Sequence, residues 1–371
     1  MSANTVRRAP RNAGFTLVEL LVSTLIMLVV VGSVFTLVDP SQSTSRTQPE
    51  VSDMQQRMRM AADMLEKDLI MAGAGTYSGA IAGSLANFFP PILPYRTGST
   101  GADPGLSFFP DRITISYVPD TAAQTRIRDA MPQPSSEIKV DPQPGCPAGD
   151  QLCGFHEGMR VVIFDDTGAY DIFTITNVQT SSLHLQHRPP NPDFSKAYRP
   201  EDNSRIAQVD NHVYYMDNAA AQLHHYDGFM EDVPIVDNSI GARFRYFGDP
   251  NPPLAPRPLA GQSNCLFDAT GNTRLPVLPS NGSSLVELTQ AMLTDGPVCG
   301  SGVNQFDADL FRIRKVSVQL RMQVSRPELR GQNPAGETLF QNPGSSRSAY
   351  RLVPDYVLEF DVAPRNMNLI R

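Results

Sequence analysis

One feature near the start of this chain constrains its fold more than any other. The run Phe15-Thr-Leu-Val-Glu-Leu-Leu-Val-Ser-Thr-Leu-Ile-Met-Leu-Val-Val-Val-Gly-Ser-Val-Phe-Thr-Leu-Val38 carries a single charge, Glu19. A helix needs roughly 20 apolar residues to cross the hydrocarbon core of a bilayer, so the run predicts a membrane-crossing helix. Arg7, Arg8 and Arg11 precede it in a stretch with no acid. A basic flank of this kind stays on the cytoplasmic side, which puts everything after Val38 beyond the inner face. A secretory signal peptide fits poorly, because its apolar region spans only about 7–15 residues before a small-residue cleavage site. A plain signal anchor is the closer alternative.

Glu19 separates these readings. A carboxylate inside a membrane helix costs roughly 2.5–3.5 kcal/mol on insertion scales, and such residues are functional suspects by default. It calls for a cationic partner, and an amine at Phe15, released by cutting after Gly14, would supply one on a neighbouring copy. Gly14-Phe15-Thr16-Leu17-Val18-Glu19-Leu20-Leu21-Val22 resembles the class III leader junction of type IV pilins. The resemblance implies that prepilin peptidase cuts after Gly14, that Phe15 is N-methylated, and that Glu19 registers the subunit in a filament. Pseudopilins of type II secretion share the same junction.

The next segment adds a second pattern. Met54, Met58, Ala61, Ala62, Leu65 and Leu69 recur at helical spacing. That predicts an amphipathic helix from about Val51 to Ala72, stopped by Gly73 and Gly75, with Pro49 in its first turn and Ser52 or Asp53 as caps. The methionines read as packing rather than as a cofactor site. Arg46 to Gly73, ending in Asp68-Leu-Ile-Met-Ala-Gly73, resembles the PilW-type minor pilins. The implied fold is α+β: a long N-terminal pilin helix, transmembrane in its first half and amphipathic in its second, packed on an antiparallel β-rich head. The expected divisions are a cleaved leader over 1–14, a membrane and filament-core helix over 15–38, the amphipathic helix over 39–73, and the head over 74–371.

Within the head, residues 74–110 show no steady period and read as irregular covering structure. Strands are predicted over 112–118, 159–165, 170–178, 182–187, 212–216, 222–226, 242–247, 311–324 and 350–362. Asp166-Thr-Gly-Ala169 between two of these runs is a hairpin signal. Residues 248–305, dense in Pro, Gly, Asn and Ser, read as an insertion. The order of the head segments, from Asp165-Asp166 through Val233–Tyr246 to Asp361–Leu369, also resembles PilW-type chains.

Charge excludes a broad grip on nucleic acid. Lys and Arg number 31 against 38 Asp and Glu. Without the three leader arginines the body is more acidic still, whereas nucleic-acid binding needs a basic surface. A local cluster of Arg312, Arg314, Lys315 and Arg321 is conceivable, but strand alternation spreads it over both faces. Four cysteines in an exported region favour disulfides. Cys146–Cys153 and Cys265–Cys299 are the preferred pairs, because each closes one Pro/Gly-rich loop. There is no C-x-x-C pair, no His-Glu-x-x-His, no Gly-x-Ser-x-Gly and no phosphate loop, so neither a cofactor nor a catalytic constellation is called for. His184 and His187 fall on opposite faces of a strand, and adjacent His224 and His225 diverge. Asp165, Asp166 and Asp171 read as turn chemistry rather than a calcium site.

The expected function is structural: a non-enzymatic minor pilin that primes assembly or sits at a type IV pilus tip. The alternatives are a type II secretion pseudopilin and, further off, a membrane-anchored periplasmic enzyme or ligand-binding module. The implied partners are prepilin peptidase, the inner membrane, other minor pilins, the major pilin and a tip adhesin. The implied location is the inner membrane with a periplasmic head, then the pilus tip or cell surface, with a part in adhesion and motility.

Overall fold

The computed structural model describes residues 14–75, 84–119, 123–135, 137–187, 193–330 and 353–368, without the side chains of 36–46 and 328. The leader arginines, residues 76–83 and the first three positions of the expected strand 350–362 lie outside the described residues. The chain divides into two compact units, residues 1–53 with 326–354, and residues 54–325 with 355–371.

Helix α1 runs from Leu17 to Met71 as one span of 55 residues. The sequence predicted a fresh start near Val51, and the helix instead continues through positions 40 and 49. Each proline removes one backbone hydrogen bond. No glycine lies between Gly32 and Gly73 to offer the chain a turn instead. In the first unit, Glu50 of α1 accepts Arg326, with Nε 3.1 Å from Oε1. The turn Pro327–Leu329 leads there to a parallel bridge between Arg330 and Val353.

In the second unit the helix is amphipathic, as its period predicts. Met54, Met58, Ala61, Leu65, Leu69 and Ala72 are buried along one stripe. Gly73 ends the helix at φ +73°, a left-handed conformation that favours glycine. Its N–H donates to the Ser116 carbonyl at 3.0 Å, and its own carbonyl accepts the Ser84 hydroxyl at 2.8 Å. A Cβ on Gly73 would sit 2.9 Å from that hydroxyl oxygen.

A five-stranded antiparallel sheet follows the order Ile92–Leu93, Arg112–Tyr117, Asp210–Asp217, Gln222–Tyr226, Asp232–Asp237. His212 lies opposite Ile115 and Tyr214 opposite His225, while Tyr117 lies opposite Asp210. Side chains alternate along strands, so Tyr117, His212, Tyr214 and His225 share one face. A four-stranded sheet orders Val286–Leu288, Ser239–Gly248, Ile313–Met322 and Tyr356–Val362.

A third, four-stranded sheet (Gln124–Arg126, Arg205–Gln208, Arg160–Phe164, Tyr170–Thr174) and a small three-stranded one build a separate core around Val161, Ile163, Phe173, Leu185 and Ile206. The hairpin read at 166–169 is present. Asp165 N–H donates to the Ala169 carbonyl at 3.2 Å, and Gly168 takes φ +89°.

Two further expectations change. Residues 84–110 do more than cover: Phe88, Phe89, Ile92, Leu93 and Tyr95 are buried. Phe89 stacks on Tyr170 with ring centroids 4.7 Å apart. The long strand begins at Ile313, because Ala308–Arg312 form a 3-10 turn capped by Asp307, whose carboxylate accepts Asp309 N–H at 2.8 Å. That turn breaks the alternation and buries Arg312 completely.

Candidate functional site

The first turn of α1 is built from residues predicted to carry function. Thr16 precedes the helix, and its backbone N–H and its hydroxyl donate to Glu19 Oε2 at 2.9 and 2.8 Å. Glu19 N–H returns a bond to Thr16 Oγ1 at 3.3 Å. This reciprocal pairing is a capping box, which satisfies helix-start donors that have no intrahelical partner. The Thr16-x-x-Glu19 spacing carries that signal, and reading Glu19 only as the partner of a distant amine passes it over. A carboxylate at a helix start also meets the positive end of the helix dipole. Phe15 is largely exposed.

Beyond this turn the helix offers apolar surface on every side. Leu17–Phe35 has a mean hydropathy of 2.5 and none of it is buried, so it is long and apolar enough to cross a membrane. Its hydroxyls do not break the surface. Ser23 donates to the Glu19 carbonyl, Thr24 to Leu21 and Ser33 to Val29, all at 2.7–2.9 Å.

Residues 9–35 match the prokaryotic N-terminal methylation motif. The leader motif and the apolar helix together support a type IV pilin-like protein. Processing by prepilin peptidase and assembly with other pilins follow from that leader. Comparisons with curated proteins and with solved structures give no significant match.

The remaining candidates fall mainly into structural roles. The structure joins Cys146 to Cys153 and Cys265 to Cys299, with Cα atoms 5.7 and 5.1 Å apart. The conceivable basic cluster is dispersed and engaged. Arg312 is buried against Asp309, and Arg314 donates to the carbonyls of Phe311 and Ile313. Lys315 pairs with Asp361 at 2.8 Å, and Arg321 with Asp355.

Asp165 closes its own turn through Thr167 and accepts Lys196, and Asp166 accepts Asn203 Nδ2. Asp171 accepts Ser195 N–H and hydroxyl, the Tyr198 hydroxyl and Asn304 Nδ2. Burial outweighs those donors and pushes its carboxyl up to about 6. These three carboxylates are thus occupied by protein donors.

His184 pairs with Glu137 and His187 packs on Phe194. His224 turns to Asp232 at 3.0 Å, while His225 turns the other way, to His212. The divergence expected of adjacent strand residues is present.

Proposed function

We propose that this chain is a minor pilin, cut after Gly14, N-methylated at Phe15, and incorporated at low copy number to prime or cap a type IV pilus. The observation that carries this reading is the methylation-motif match over 9–35 continuous with a helix that is apolar all round. A helix with no polar flank packs equally well against lipid and against other such helices. Among the described residues the folded head is bulky, spread over five sheets. Such a head would clash on a shaft packed every few ångströms but not at an end.

Glu19, held by Thr16 in the isolated chain, exchanges that bond for a neighbour's methylated amine on assembly. Other minor pilins, the major pilin and a tip adhesin are the proposed partners. Both disulfides belong to a head that matures beyond the inner membrane.

The test is Gly14→Val in the native cell. We expect an unprocessed chain that begins at Met1 by mass spectrometry, remains in the inner membrane, and leaves few surface pili. Full processing and normal piliation would refute the reading. Intact pili with loss of protein secretion would favour the pseudopilin instead.

A further inference from the structure

In the second unit, the buried stripe of α1 contains one acid, Asp68, which is almost fully buried. It meets the face of the five-stranded sheet that carries Tyr117, His212, Tyr214 and His225. Asp68 Oδ2 lies 3.1 Å from His212 Nδ1, and His212 Nδ1 lies 2.8 Å from His225 Nε2. All three atoms fall within 4.8 Å of one another. The Tyr214 hydroxyl donates to Asp68 Oδ2 at 2.5 Å, and the Tyr117 hydroxyl lies 2.9 Å from His212 Nε2.

The protons do not suffice for this geometry. His212 Nδ1 can carry one hydrogen, which points at Asp68 or at His225 but not squarely at both. If His225 Nε2 carries a hydrogen instead, His212 Nδ1 turns a lone pair toward the Asp68 carboxylate. With one proton shared among the three atoms, one of the two close pairs, His212–Asp68 or His212–His225, is left without a proton along its line. A single cation among them satisfies all three.

We propose that Asp68, His212 and His225 form a binding site for one divalent transition-metal ion, with Zn²⁺ as its occupant. Two imidazole nitrogens and one carboxylate oxygen are a donor set that zinc accepts, at about 2.0–2.2 Å per bond. At those bond lengths neighbouring ligand atoms of a tetrahedron stand roughly 3.3 Å apart, so the His212–His225 pair, at 2.8 Å, needs to open by about half an ångström. The outer partners are in place. Tyr117 orients the His212 ring through its other nitrogen, and Tyr214 orients the carboxylate, as the surroundings of metal ligands commonly do. His212 is about one-fifth exposed, which gives the ion a route in and leaves water as a fourth ligand.

The ligands come from the last turns of α1 and from two adjacent strands. The ion therefore clamps the end of the helix to the sheet.

The test uses the untagged full chain in detergent micelles, stripped with a chelator and titrated with Zn²⁺ by calorimetry. We expect one ion per chain, a raised unfolding temperature on binding, and at least tenfold weaker affinity in Asp68→Asn and in His225→Gln. Co²⁺ in place of Zn²⁺ should give the visible absorption of a four-coordinate nitrogen–oxygen site, which a hydrogen-bonded cluster alone does not produce. Asp295→Asn, in the separate acidic trio of Asp295, Asp307 and Asp309, should bind as wild type. No stoichiometric uptake, or unchanged affinity in His225→Gln, would overturn the proposal. If Asp68→Asn fails to fold by circular dichroism, His225→Gln and the cobalt spectrum of the unmodified chain still decide it.

Discussion

Arg312 offers the sharpest test of how the head is held together. Its guanidinium is completely buried. Nε donates to Asp309, Nη1 to the Pro250 carbonyl at 2.9 Å, and Nη2 to the Pro276 carbonyl at 2.6 Å. One side chain thus ties the start of the long strand Ile313–Met322 to two points in the Pro-rich region after Gly248. In Arg312→Met the aliphatic stem is largely replaced, so little packing is lost. What remains is a nearly buried Asp309 carboxylate without its cation and a Pro276 carbonyl without the Arg312 donor, while the Pro250 carbonyl keeps the Leu278 N–H at 2.8 Å.

Breaking a buried pair from one side costs about 3–5 kcal/mol, most of it the stranded charge. Adding Asp309→Asn removes that charge and should recover about half the loss, leaving mainly the unpaired Pro276 carbonyl at about 1–3 kcal/mol. The assay is urea unfolding of the full chain in micelles with disulfides intact, followed by circular dichroism. Limited proteolysis should open residues 249–280 first. An Arg312→Met variant within about 1 kcal/mol of wild type, the range of an exposed pair, would refute this account.

The two disulfides should differ in worth. They close separations of 7 and 34 residues, which the chain-entropy relation converts to about 2.4 and 3.8 kcal/mol. Paired Cys→Ser variants at 265 and 299 should therefore unfold at lower urea than those at 146 and 153; the reverse order would count against the entropic account. Burial, with Asp309 and Asp295 nearby, pushes Asp307 up to about 6 from 3.8. A raised folded value stabilises below about pH 4 and is lost as pH rises through about 6. The stability of Asp307→Asn relative to wild type should therefore climb over that window, and a flat difference would contradict it. Thr16→Val removes the hydroxyl that Glu19 N–H and Glu19 Oε2 both use. Hydrogen exchange at the Glu19 amide should quicken while Val29 stays protected; unchanged exchange at Glu19 would remove the capping box from the argument.

Much of this architecture can be read along the chain, for physical reasons that also mark where reading stops. The stripe from Met54 to Leu69 is plain because one helix face meets one core at a fixed period. The hairpin across 165–169 is plain because Gly168 and the Asp165 side chain supply what the turn needs locally. Strands of two to four residues, such as Ile138–Lys139 and Arg205–Gln208, are too short to show a period and are specified by what they pair with.

Arg312 looks like a surface cation until a 3-10 turn upsets the alternation around it. Asp68 and His212 stand 144 positions apart, and only the docking of helix on sheet makes them neighbours. The amino-terminal site is the opposite case. Gly14, Phe15, Thr16 and Glu19 lie within six positions at the start of α1, so sequence spacing and spatial spacing are nearly the same thing.

The uniform coat of Leu17–Phe35 has a mechanical consequence. Hydroxyls folded back onto the helix's own carbonyls leave no flank by which a neighbour can tell one azimuth from another. Spinning the rod about its axis changes little, whereas sliding it lengthwise moves the Thr16–Glu19 pair to a different depth. Such a rod can specify how far it is inserted. Its compass bearing must come from whatever grips the globular portion.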